Sequence, residues 1–148
     1  MVSSRLLGAT FLLVTICGCS TSSSAPDLHH IQQLGSFYGR YAALNRGQTP
    51  PNETAFKQFI STKISEAELK QRGIDSSNLA PLFTSPRDNE PYVVLYKIDA
   101  THTAPSGKTP PVIYEKTGKN GKRAVCSSTG QAEELDEAAF KELLPNAK

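Results

Sequence analysis

Three cysteines and three histidines are the residues of this 148-residue chain best suited to chemistry. Cys126 with His102 is the nucleophile–base pair the composition offers, since a thiol needs a base or a cation nearby to ionise at neutral pH. Cys126 stands, however, in Ala124-Val125-Cys126-Ser127, a segment with strand character. A lone cysteine there behaves as a small buried hydrophobe, so the expectation is a packed thiol and no enzyme. His29 and His30 are adjacent, and a helix points neighbours about 100° apart, so the two cannot share a metal. His102 has no cysteine partner and no His-x-x-x-His mate, so neither a metal nor another cofactor is expected.

Two further motifs are incomplete. Gly107-Lys108-Thr109 ends like a phosphate loop, but His102 stands where the upstream glycine belongs, which removes the nest of backbone N–H groups. Lys116-Thr117-Gly118 matches one motif of the serine β-lactamases and penicillin-binding proteins, yet no Ser-x-x-Lys nucleophile occurs anywhere. Asp88, Asn89 and Glu90 are hard oxygen donors without EF-hand spacing. A hydrogen-bonded turn is expected there, with calcium as the alternative.

Lys108, Lys116, Lys119, Lys122 and Arg123 oppose Glu115 alone between positions 108 and 123, a local balance of +4. Glu133, Glu134, Asp136, Glu137 and Glu142 with Lys141 give −4 directly after. Such segments either pair across neighbouring strands or solvate separately. The five cations are also a candidate contact surface for anionic lipid, lipopolysaccharide or another polyanion.

At the amino end, Arg5 precedes an apolar run of 11 residues, Leu6 to Ile16, too short to span a bilayer. Gly18 then sits directly before Cys19-Ser20. The stretch resembles the signal sequence of a bacterial lipoprotein. That resemblance implies cleavage after residue 18, acylation of Cys19 and a location in the cell envelope. The chain would be lipid-anchored on the periplasmic face of the inner or outer membrane, with Ser20 compatible with export to the outer one. Each acyl CH₂ buried in lipid contributes roughly 0.8 kcal/mol to such an anchor. Cleavage by the ordinary signal peptidase near Ser20–Ala25 is the competing reading.

The mature chain would have 130 residues, with 15 Lys plus Arg against 14 Asp plus Glu. That length makes one domain with one core, and the near-neutral balance gives no reason to expect a nucleic-acid partner. Residues 1–18 are then signal peptide, 19–25 a Ser/Thr-rich tether and 26–148 a single globular domain. With Cys17 removed and Cys19 acylated, Cys126 has no disulfide partner.

The spacing predicts an α+β fold. A long N-terminal helix starts at Ser24-Ala25-Pro26-Asp27, carries Leu28, Ile31, Leu34, Phe37 or Tyr38, Tyr41 and Leu44 inward, and ends at Gly47. Gly35 and Gly39 inside it fit either close packing or chance. Two short helices follow, capped by Asn52 and Ser65, then a loop over 75–89 with Leu79, Leu82 and Phe83 tucked inward. Tyr92 to Ile98 is the strongest strand signal. Strands over 112–116 and 123–127 flank Asn120-Gly121, the dipeptide suited to a type I′ turn. A short fourth strand over 131–135 and a helix capped by Asp136, with Leu135, Phe140, Leu143 and Leu144 inward, complete a meander of three or four antiparallel strands.

Three stretches carry a second resemblance. His30-Ile31-Gln32-Gln33-Leu34-Gly35 with Tyr38, Tyr41, Asn45, Gly47 and Pro50-Pro51 resembles the first soluble turns of the long helix in pseudopilins. Pro86 to Tyr92 resembles the entry to their sheet. Arg123 to Leu135 resembles the last strand pair of secreted pilin-like proteins, with Ser128-Thr129-Gly130 at the usual Ala-Asp-Gly turn. The likeness implies a pilin-like head. The apolar run here ends in a lipobox, with no prepilin cleavage site or helix-start glutamate, so helix stacking is not expected. The family's calcium sites are not carried over, because the loop does not match residue for residue. The expected function is non-enzymatic: a lipid-anchored domain that contacts an envelope protein, using the 99–110 loop and the 118–123 hairpin. The alternative is binding of an envelope polymer or anionic ligand by the basic 116–123 hairpin.

Overall fold

A computed structural model of the chain describes residues 28–98, 109–145 and 147. The proposed signal peptide, the tether, the Ser24 cap, His102 and Lys108 lie outside the described residues.

The described chain is α+β, with four α-helices and a four-stranded antiparallel sheet. Helices α1 (His29–Leu44), α2 (Glu53–Lys63) and α3 (Glu66–Gln71) come first, then a 3₁₀ turn over Ala80–Phe83. Strands β1 (Val93–Val94), β2 (Pro111–Tyr114), β3 (Lys122–Ser127) and β4 (Ala132–Asp136) pair in chain order, and α4 (Glu137–Leu143) closes the fold. The 3₁₀ turn falls within the expected loop and buries Leu79, Leu82 and Phe83.

The caps follow from side-chain chemistry. Asn52 Oδ1 accepts the Ala55 N–H at 2.8 Å, Ser65 Oγ the Glu68 N–H at 3.2 Å, and Asp136 Oδ1 the Ala139 N–H at 2.8 Å. Each satisfies an N–H that the helix itself leaves without a partner. Glu68 does not return the favour to Ser65. Its carboxylate instead bridges Arg40 of α1 at 2.8 Å and Arg72 at 3.2 Å, which ties α3 to α1.

The sheet has a core on each face. Ala124 and Cys126 of β3 join Ile31, Leu34, Phe37 and Tyr38 of α1 in the larger cluster. Val125, alternating to the other face, packs with Tyr114 and Phe140 of α4. Leu135 and Leu144 pack partly buried against this second cluster, whereas Leu143 is only half-buried and joins neither. Between α1, α2 and the 3₁₀ turn, Tyr38, Phe56 and Phe83 meet edge to face at 5.7 Å, the arrangement ring quadrupoles favour.

Two expectations need correction. The segment Tyr92 to Ile98 is not one strand. Val93 and Val94 pair with β2, the Leu95 N–H adds one bond to the Val112 carbonyl at 2.8 Å, and Lys97 then turns to a positive φ of 56°. The chain there bonds across to the stiff Thr49-Pro50 corner instead: Lys97 N–H donates to the Pro50 carbonyl, and Thr49 Oγ1 exchanges bonds with Ile98 at 2.8 and 3.0 Å. Tertiary pairing thus overrides β-propensity. Leu44, placed inward by periodicity, is 63% exposed. It is the last residue of α1, and the chain leaves the helix immediately after it.

Candidate functional site

The Asn120-Gly121 turn forms as expected, with φ of 53° and 71° and reciprocal Lys119–Lys122 backbone bonds of 2.8 and 3.0 Å. The cations around it are drawn apart. Arg123 donates to Glu137 at 3.1 Å and to the Lys116 carbonyl at 2.8 Å, and lies 4.5 Å over the Phe140 ring. Lys116 sits 3.7 Å from Glu90. Lys122 is exposed and faces Asp136 in register. The acidic segment after the hairpin therefore pairs with part of the basic one across the meander.

The 85–90 turn is a dense hydrogen-bonded node. Asp88 Oδ1 accepts the Glu90 N–H at 3.1 Å and Oδ2 the Gly118 N–H at 2.7 Å, so both oxygens serve the backbone. Asn89 takes φ 59°, which its short polar side chain tolerates. Beneath lies Glu115, fully buried. It accepts from Ser85 Oγ at 2.6 Å and from the Ala124 N–H at 2.7 Å, and meets Arg87 Nε at 3.0 Å. That last approach is an ion contact rather than an aligned hydrogen bond. Arg87 also binds Glu134 of β4. A charge this deep is tolerable only when paired and hydrogen-bonded, as here. Among the described residues no group of three or more His, Cys, Asp or Glu could hold a metal ion.

Cys126 lies fully buried, its Sγ 3.4 Å from the Ser127 carbonyl, and burial pushes its thiol up to about 12. A thiol so protonated is no nucleophile near neutral pH. The two helical glycines explain how it is covered. A Cβ on Gly35 would collide with Cys126 Sγ, and one on Gly39 with the Ser128 carbonyl oxygen. Spacing alone fits either close packing or chance for that pair; the close approach of α1 to β3 and the turn after it requires both glycines.

A partly apolar groove lies elsewhere. Its volume is about 520 Å³, and it runs between the end of α1 and α2, lined by the apolar Tyr41, Leu44, Ala55 and Phe59 and the polar Asn45, Gln58, Thr62 and Lys63. Leu44 is the one large hydrophobic side chain exposed among the described residues. Periodicity could not reveal this, because Leu44 continues the apolar stripe of α1 past the point where the body of the protein covers it.

Neither protein-family models, curated proteins nor solved structures yield a match to this chain. No helix among the described residues is long and apolar enough to cross a membrane.

Proposed function

We propose that this is a lipid-anchored envelope protein, held through Cys19, whose folded domain acts without catalysis as a structural or protein-interaction module with a pilin-like head. The exposed Leu44 on the α1–α2 groove is the observation that carries the contact role. Leu44 beside Tyr41, Ala55 and Phe59 forms an apolar strip that a partner can cover, and contiguous apolar surface of this kind is what interaction sites use. The buried, protonated Cys126 supports the non-enzymatic reading. A helix packed on one face of an antiparallel meander supports the pilin-like head.

In this reading the partner is an envelope protein, and the anchor holds the domain at the membrane where that partner resides. The alternative, an anionic polymer bound by the 116–123 hairpin, draws less support, since Lys116 and Arg123 already face carboxylates.

Two variants of the full-length chain test the proposal. Cys19→Ala should move the protein from membrane to soluble fractions. Leu44→Asp should leave it membrane-bound and folded but abolish recovery of its partner from detergent-solubilised envelope. Recovery unchanged by Leu44→Asp would refute the contact role.

A further inference from the structure

Strand β4 is an open edge of the sheet. It pairs with β3 from Lys122↔Asp136 to Cys126↔Ala132, and no strand among the described residues lies on its other side. In an antiparallel ladder every second residue turns its N–H and C=O away from the neighbouring strand. Two bonds fix the phase here. The Ser127 N–H donates to the Gln131 carbonyl, and the Glu115 N–H to the Ala124 carbonyl, both at 2.9 Å. Ala124 therefore faces the β2 side, while Val125 and Arg123 face Glu133 and Leu135 of β4. Ala132, Glu134 and Asp136 are left with their N–H groups outward, and Ala132 and Glu134 with their carbonyls outward as well. The Asp136 carbonyl instead starts α4. At about 3.3 Å per residue, this row is about 13 Å long. Helix α4 does not close it off, because Phe140 packs back over the sheet on Tyr114 and Val125.

The side chains beside the row select what can lie there. Glu133, Glu134, Asp136 and Glu137 are all exposed. Glu134 is held by Arg87, Glu137 by Arg123, and Asp136 Oδ1 by its cap on α4. Glu133 has no ion pair among the described residues. A second β4 laid against the first would set acid against acid, a device by which edges avoid their own kind. A cationic strand meets the opposite situation, since cross-strand pairs of unlike charge attract.

We propose that the β4 edge takes up an extended protein segment with lysine or arginine at alternate positions, as an added strand, independently of the contact role of Leu44. The outward groups of Ala132, Glu134 and Asp136 supply the main-chain hydrogen bonds, and side-chain charge supplies the selection. The incoming cations lie on the Glu133 face of the sheet, where the carboxylate is unpaired. The residues between them lie on the other face, beside Ala132, and their amides point at β4.

Titration of the full-length chain in detergent with an acetylated, amidated hexapeptide of alternating lysine and valine tests the edge. Saturable backbone amide NMR shifts should centre on residues 131–137, and hydrogen exchange at Ala132, Glu134 and Asp136 should slow. N-methylation of the valine amides should weaken binding by about tenfold or more, because those amides face β4, whereas N-methylation of the lysine amides should change it little. Glu133→Lys should weaken binding about fivefold or more with an unchanged urea midpoint, and a glutamate–valine hexapeptide should give no shifts. Absence of shifts with the lysine peptide, equal effects of the two methylations, or equal binding of the two peptides would overturn the proposal. The same shifts on concentrating the chain alone would assign the edge to a second copy and overturn it too.

Discussion

Arg87 and Glu115 form an ion pair closed to solvent: Nε lies 3.0 Å from Oε1, with the side chains 4% and 0% exposed. Arg87 comes from the 85–90 turn and Glu115 from the residue after β2. Because Arg87 also binds Glu134 and Glu115 also accepts the Ala124 N–H, one node joins the turn to β2, β3 and β4.

Removing Glu115 takes one of two carboxylates from the buried Arg87 and the acceptor that the Ser85 hydroxyl and the Ala124 N–H use. Glu115→Ala should destabilise the fold by about 3–5 kcal/mol, read as a lowered urea midpoint. Arg87→Met combined with Glu115→Leu should cost less than Glu115→Ala alone, because apolar side chains of similar volume then fill the buried site in place of both charges. A single substitution costing under about 1 kcal/mol would mean the pair is solvated, as surface pairs are.

Gly39→Ala reverses a familiar sign. In a free helix that change stabilises by about 1 kcal/mol. Here the new methyl would meet the Ser128 carbonyl, and overpacking of this kind costs about 1–3 kcal/mol. The thermal midpoint of Gly39→Ala should fall. A rise would show that α1 does not approach the 127–130 turn so closely.

Burial raises Cys126 from an ordinary 9.0 to about 12 and Tyr38 from 10.0 to about 12. The folded state therefore holds protons that the unfolded chain releases. These contributions are fully present below pH 9 and fade as pH rises from 9 toward 12. Denaturation midpoints should be level from pH 7 to 8.5 and fall above 9. Cys126→Ala should flatten the first part of that decline, between pH 9 and 10, before unfolded tyrosine begins to ionise. In the folded wild type, thiol labelling at pH 8 should proceed only as fast as the protein opens.

How much of this was legible beforehand depends on range. Asn52, Ser65, Asp136 and Asn120-Gly121 announce themselves because a cap or a tight turn is decided within four residues. Cys126 was readable as buried from its strand neighbours. The Arg87–Glu115 pair was not, since 28 positions separate the two and nothing local marks Glu115 as buried. Lys97 was misread for a similar reason: its neighbours favour a strand, and the Thr49-Pro50 corner that interrupts it lies far back in the chain. The exposure of Leu44 is likewise a matter of where the protein ends, which helical periodicity does not encode.

Leu44→Asp should change stability by no more than about 0.5 kcal/mol, the usual range for exposed positions. Urea unfolding checks this, and a larger loss would mean that Leu44 is part of the core.

The contact role is tested most directly inside cells, by replacing Leu44 with photoreactive benzoyl-phenylalanine in the full-length chain and irradiating intact cells. The account predicts a discrete cross-linked protein at position 44 and none when the probe stands at Glu142, on α4 beyond the opposite face of the sheet. No adduct at 44, or the same adduct from both positions, would contradict it.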